Sequence, residues 1–324
     1  MKRLIVGDLH FGVNEKNESY LDYQDKSLKW IRDVSNEYNL KCDFLGDFFD
    51  NPTQITLISM KRALTFINSI YGLGNVIIGN HDCYYKNTND VNSPSLLFQS
   101  YDKDPSNNIL YLDWINKENL DITLSTIKKS KLKYCLGHLE LEGFLLQKDI
   151  YSKEGSIDIK KLKKFDLVIS GHYHKHSKKG NVIYLGTPFE VNFSDTNESK
   201  YIMILDDETG EYELIQNPYS YFVKIDINSN DDLITPTELE GKKVNINLNC
   251  ERTIVIENWL NELNNINVDF KVIDVKSTFN DDFKVDNPNE KVYDVWKEYI
   301  NTLELNNIDQ INNLFEEEYL KVTQ

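Results

Sequence analysis

The chain predicts an α/β fold, and two observations carry the prediction. Short β-branched or aromatic runs recur through the first 200 residues, each ending at or just before a glycine, and stretches with apolar residues at helical spacing stand between them. Alternating strands and helices are the pattern of an α/β domain. Functional loops in such a domain lie beyond the carboxyl ends of its strands.

The first strand is read at residues 3–6, followed by 43–45, 75–78, 133–136 and 167–169. Residues 23–37 carry Leu28, Ile31 and Val34 on one helical face, and residues 55–70 carry Leu57, Met60, Leu64 and Ile67 on another. From Tyr201 the texture changes to strand-like pieces at 201–205, 221–227, 243–248 and 270–275 separated by polar turns, which reads as a small second domain of α+β character. After the polar break "NDDFKVDNPNE", Val292, Trp296, Ile300 and Leu303, then Ile308, Ile311 and Phe315, fall on one face of an amphipathic helix or helix pair. The expected division is 1–204, 205–280 and 281–324, in keeping with a length of 324 residues.

Composition narrows the class. Hydrophobic residues make up 40% of the chain, ample for a packed core, and no window approaches the roughly 20 apolar residues of a membrane span. The apolar run Leu4-Ile5-Val6 stops at Gly7-Asp8, too short for a secretory signal. Cys42, Cys83, Cys135 and Cys250 are scattered without a Cys-x-x-Cys pair, as expected of buried thiols in a reducing, cytoplasmic compartment. The formal charge of -16 is uneven: residues 1–200 hold 26 Lys+Arg and 26 Asp+Glu, so the whole excess lies in 201–324, with 10 and 26. The first part is thus electrostatically free to approach a phosphodiester, whereas the acidic part suits a basic partner.

The residues after each strand carry the chemistry. They are Gly7-Asp8-Leu9-His10, Gly46-Asp47-Phe48-Phe49-Asp50, Gly79-Asn80-His81-Asp82, Gly137-His138 and Gly171-His172-Tyr173-His174. Singly these are weak signals, since any of them could cap a turn. Five at five successive strand ends converge, because the strand ends of a parallel sheet face one edge. Extended-chain alternation would aim Asp8 with His10, and His172 with His174, at one site. Carboxylate, imidazole and one amide oxygen form a hard-to-borderline donor set suited to Mn, Fe or Zn. Seven such ligands are too many for one ion and suit two that share a bridging carboxylate. Two ions about 3.5–4 Å apart activate water toward phosphorus, so the expected substrate is a phosphoester. A spare histidine beside them could serve the departing oxygen.

This ordered series resembles the signature of the calcineurin-like metallophosphoesterases, and its flanks, "GDLHFG", "GDFFD", "VIYLGTPFEVNFSDTNESKYIMIL" and "NPYSYF", are similar to the SbcD-type nucleases of double-strand-break repair and their counterparts in tailed phages. The likeness spans about residues 1–225. It implies a metallophosphoesterase β-sandwich flanked by helices, with a small α+β capping domain that contacts DNA and a C-terminal helical tail that binds an SbcC-type ABC ATPase through its coiled coil. It implies one metal held by Asp8, His10, Asp47 and His174, and another held by Asp47, Asn80, His138 and His172. His81 would face the leaving 3′ oxygen as the catalytic residue, with Asp82 orienting neighbours. Asp50, placed beside the ligands, stands where some archaeal and eukaryotic relatives have a histidine, so that histidine's role does not transfer.

The resemblance implies a Mn-dependent 3′–5′ exonuclease and endonuclease acting as a homodimer, through the helix at 55–70, on double-stranded ends, single strands or hairpins in recombination and repair. Mg, Fe and Zn are alternatives to Mn. Lys175, Lys178 and Lys179 are candidates for DNA-backbone contact, against the bland reading of solvated charge. His176 continues the alternation but is read as peripheral, and Gly186-Thr187-Pro188 as a turn. Two other functions share these residues: a phosphodiesterase or phosphatase on small or cyclic nucleotides, and a non-catalytic scaffold that recruits the ATPase.

Overall fold

A computed structural model describes residues 1–147, 150–266 and 268–274. The expected helical tail at 281–324, with Trp296 and Phe315, lies outside the described residues, as does the last residue of the strand expected at 270–275. In chain order the elements are β1 (Lys2–Val6), α1 (Glu18–Glu37), β2 (Lys41–Phe44), α2 (Leu57–Ile67), β3 (Gly72–Val76), α3 (Ser93–Leu97), β4 (Ile109–Leu112), α4 (Leu120–Lys129) and β5 (Tyr134–Gly137). There follow β6 (Leu145–Gln147), β7 (Ile150–Tyr151), β8 (Leu167–Ser170), β9 (Ser177–Lys179), β10 (Val182–Tyr184), β11 (Tyr201–Asp206) and β12 (Tyr212–Gln216). The last are β13 (Phe222–Ile227), β14 (Lys243–Leu248), α5 (Ile254–Asn265) and β15 (Asp269–Asp274).

The parallel strands divide between two sheets, not the single sheet that the convergence argument assumed. One has the order β12-β11-β1-β2-β3 and the other β4-β5-β8-β10-β9. Within each, the strands that lead to candidate ligands run parallel, β1 with β2 and β3, and β5 with β8. Period-two alternation explains why two sheets form. In β1, Leu4 and Val6 join the core under the first sheet's helices, while Ile5 joins Leu136, Ile169 and Ile183 in a core between the sheets. In β5 and β8, Cys135 and Val168 turn to a third core with Ile127 of α4. Each of these strands is apolar on both faces, so each sheet is covered on both sides and the layers run helix, sheet, sheet, helix.

Helix α1 starts five residues before the expected Tyr23, because the Asn17 side chain caps it by accepting the Tyr20 N–H. Thr56 caps α2 in the same way. The buried face of α2 is Ser59, Ala63, Phe66 and Ile67, whereas Leu57, from the expected apolar stripe, is 83% exposed. The small Ser59 lies against Gly12 and donates to the Glu15 carboxylate at 2.7 Å, which fixes that rotation.

Strand β11 extends the first sheet antiparallel to β1, and β12 pairs antiparallel with β11, so this sheet runs past residue 204 to Gln216. Strands β13, β14 and β15 form a separate parallel sheet with its own core, in which Trp259, Leu260 and Leu263 of α5 pack on Ile225, Val244 and Ile246. Among the described residues, no helix is long and apolar enough to cross a membrane.

Candidate metal centre

Backbone hydrogen bonds continue past the strand ends and bind the loops to one another. Leu45 N donates to Val6 O, Ile77 N to Phe44 O, His10 N to Asp47 O, and Gly171 N to Gly137 O. His138 Nδ1 against Leu45 O at 2.8 Å and His172 N donating to Asp8 Oδ2 at 2.8 Å cross between the sheets, so the loops after β1, β2 and β3 meet those after β5 and β8 at one edge of the sandwich. His10, Asp47 and His172 have positive φ of 44°, 45° and 84°, a left-handed region that few residues other than glycine adopt and that asparagine, aspartate and histidine tolerate best. Among the described residues the other non-glycine residues with positive φ are all asparagines, so every histidine or aspartate in that region lies at the candidate site. The same φ values show that extended alternation is not what aims these side chains: His10 and His172 lie in left-handed turns.

Glycine makes the packing possible. A Cβ on Gly46 would collide with the His138 ring, one on Gly79 with the Asp47 carboxylate, and one on Gly171 with the Asp8 carboxylate.

Two clusters result. Asp8, His10 and His174 offer atoms within 4.8 Å of one another, as do Asp47, His138 and His172. Asn80 completes the second, its Oδ1 lying 3.0 Å from both His138 Nε2 and His172 Nδ1. Asp47 Oδ2 stands between the clusters, 3.4 Å from His138 Nε2 and 3.9 Å from His10 Nε2. His81 and Asp50 form a further group with His10. The His81 Nδ1 is 2.6 Å from the Asp50 carbonyl, which can only accept, so Nδ1 carries the proton and Nε2 is left for a ligand. By the same argument His138 Nδ1 donates to Leu45 O at 2.8 Å, leaving its Nε2 for the cluster. Asp82 is buried and accepts from Phe48 N, Gly79 N and Ser93 Oγ, tying the loops after β2 and β3 together.

The electrostatics are those of anions and imidazoles held out of water. Burial raises the Asp8 carboxyl to about 6, and burial with the nearby Asp47 charge raises Asp82 to about 7. Burial works against the charged form of Asp47, but His138, His10 and His81 hold it well below the usual range. Burial likewise disfavours the His138 imidazolium, yet Asp47 and Asp8 outweigh it and lift the ring to about 9. Burial, with neighbouring histidines, depresses His172 and His174 to about 3.

Other expected residues are placed differently. Lys175 is buried and paired with Glu198 at 2.6 Å, so it cannot reach a DNA backbone, which corrects its candidacy. Lys178 and Lys179 are exposed on β9, Lys178 Nζ lying 2.9 Å from the Tyr212 hydroxyl. His176 is in neither cluster and packs edge-on to Tyr201 at 5.2 Å. The turn at Gly186-Thr187 packs under the His174 carbonyl, which accepts from Thr187 N at 3.2 Å. Sequence reasoning missed Lys200, whose buried ammonium donates to that same carbonyl at 3.0 Å, to Thr187 Oγ1 at 2.9 Å and to Asp195 at 2.6 Å. A lone lysine before a strand carries no signal of burial.

The sequence pattern of the calcineurin-like phosphoesterase family matches residues 1–176. The chain belongs to that family. This calcineurin-like phosphoesterase is also 31% identical to exonuclease subunit 1 of Enterobacteria phage T4 over 240 residues, which is 69% of this chain and 70% of the relative. A solved archaeal phosphodiesterase aligns at 16% identity over 67% of this chain and all of its own, with a TM-score of 0.33.

The phosphoesterase fold implies divalent metal ions, and the residues present fit them. Asp8 Oδ1 is buried without a hydrogen-bond partner, and His10 Nε2 and His174 Nε2 face each other at 3.0 Å, close enough to converge on one ion. No thiolate is near, and the oxygen and imidazole donors suit a hard-to-borderline divalent ion. Binding would displace the protons that the bare cluster recruits to its anions.

Proposed function

We propose that this phosphoesterase is the nuclease subunit of a DNA-processing complex, using two Mn ions to cleave phosphodiesters as a 3′–5′ exonuclease and as an endonuclease on DNA ends. The observation that carries the reading is the likeness to a phage exonuclease subunit along 69% of the chain, together with two adjoining clusters of phosphoesterase ligand types.

In this reading Asp8, His10, Asp47 and His174 hold one ion, and Asp47, Asn80, His138 and His172 the other. When bound, the ions supply an activated water and neutralise charge on the phosphate oxygens. The protein does the rest. Asp47, fixed by the His81 N–H at 2.8 Å, holds the two halves of the site together. Asp82 keeps the loops after β2 and β3 in register. His81, its Nδ1 proton committed to the Asp50 carbonyl, presents Nε2 to the leaving 3′ oxygen and in its imidazolium form delivers the proton that oxygen needs. The cap expected at residues 205–280 contacts DNA, and residues 281–324 bind an SbcC-type ABC ATPase; the protein works as a homodimer. Lys178 and Lys179 contact the duplex backbone.

End-labelled duplex DNA incubated with Mn, with and without the partner ATPase and ATP, tests the reading. Shortening from the 3′ end is the expected result. Rapid turnover of a chromogenic phosphate ester with no DNA cleavage under any condition would replace it with a small-molecule phosphodiesterase. A chain that takes up no divalent ion from saturating Mn would be a scaffold.

A further inference from the structure

We infer that Trp114 is a stacking platform for an unpaired nucleobase of the substrate strand beside the scissile phosphate. The inference rests on the nuclease reading and specifies its substrate as a strand whose base has left the duplex.

Trp114 stands at the edge of the second cluster, its ring 5.1 Å from that of His172 and 5.9 Å from that of His138. It is half-buried, and its indole N–H bonds to no protein atom among the described residues. Its backbone, by contrast, is held from both ends. Trp114 N donates to Ile78 O at 2.7 Å, and its carbonyl accepts from Asn89 Nδ2 at 2.9 Å and Asn119 Nδ2 at 2.8 Å. The preceding Asp113 accepts from Ile78 N at 2.8 Å, so the Trp114 segment clamps the loop that carries Asn80 and His81. A large aromatic ring is thereby fixed in place next to the candidate ligands while remaining partly exposed.

Charge favours an aromatic platform over a purely ionic one. The first 200 residues carry no net charge, and the nearest lysine after the histidine motif, Lys175, is buried against Glu198. Stacking offers sequence-independent affinity where phosphate attraction is weak, because every base has a π-face. A base can reach such a platform only when unpaired, as at a frayed end, a hairpin loop or a single strand.

The test compares single-stranded oligonucleotides that carry either a normal base or an abasic tetrahydrofuran at the nucleotide next to the cleaved bond, using the full chain loaded with Mn. The wild type should prefer the base-bearing strand in kcat/KM by roughly 10- to 100-fold. In Trp114→Ala that ratio should fall toward one, and Trp114→Phe should restore most of it. A Trp114→Ala variant that slows while keeping the wild-type ratio would overturn the inference and leave Trp114 as packing for His172. A wild type that hydrolyses a chromogenic ester but neither strand would instead remove the nuclease reading, an outcome distinguishable from the first by the ester control.

Discussion

Asp50 serves two histidines with two different groups. Its carbonyl oxygen takes the His81 Nδ1 proton at 2.6 Å, and its carboxylate lies 3.3 Å from His10 Nδ1. Asp50→Ala keeps the carbonyl and with it the aim of His81, but removes the anion behind His10. Mn affinity should fall about 10- to 100-fold by calorimetric titration, with kcat at saturating Mn nearly kept; an unchanged affinity would refute the assignment. His81→Ala should behave in the opposite way. It should retain both metals by elemental analysis while kcat drops by roughly 10²- to 10⁴-fold, whereas Asp47→Ala, which removes the carboxylate between the clusters, should empty both. A metal lost from the His81 variant would mean that this ring is a ligand. The candidate ligands themselves were legible in the sequence, because each follows a strand and a glycine. The reason they converge was not. Alternation gathered the side chains that cluster, but for a reason that the left-handed turns at His10 and His172 contradict. Lys175 was misread because its burial depends on Glu198, 23 positions along the chain, and no local pattern contains that contact.

The segment between β10 and β11 links the His174 loop to the start of the third sheet. Lys200 holds the His174 carbonyl and Asp195, Asp195 accepts from Val191 N at 2.8 Å, and the adjacent Glu190 accepts from Tyr221 N at 2.6 Å and Phe222 N at 2.7 Å, where β13 begins. Lys200 and Asp195 are both nearly inaccessible. Breaking a buried pair by removing one partner leaves the other charge unpaired and costs about 3–5 kcal/mol. Lys200→Met should therefore lower thermal stability clearly, and it should also weaken Mn binding, since His174 loses the bond that seats its backbone. Pairing the change with Asp195→Asn should recover most of the stability without recovering the affinity. If both recover together, Lys200 is structural and does not position His174. At this scale the sequence located the strands that lead to ligands to within a few residues, since glycine and β-branched composition mark them. It missed β4 and β12, because strand pairing is set by partners distant in sequence.

The two sheets of the sandwich divide the candidate ligands between them: Asp8, His10, Asp47 and Asn80 follow strands of the first, and His138, His172 and His174 follow strands of the second. Metal ions at this edge would hold the sheets together as well as cleave. A ligand that binds only the folded state stabilises it by about 2.7 kcal/mol at a hundred times its Kd. A domain of this size gains roughly 2–4 °C in Tm per kcal/mol, so removing Mn with a chelator should lower the melting temperature of the sandwich by about 5–10 °C. The third sheet provides an internal control. It has its own core around Trp259 and Ile246, and none of the candidate ligands lies in it. Scanning calorimetry should therefore resolve two transitions, of which only one moves with Mn. A single transition that shifts as a whole would mean that the Glu190 bonds to Tyr221 and Phe222 couple the two bodies into one cooperative unit, and the third sheet would then report directly on metal occupancy.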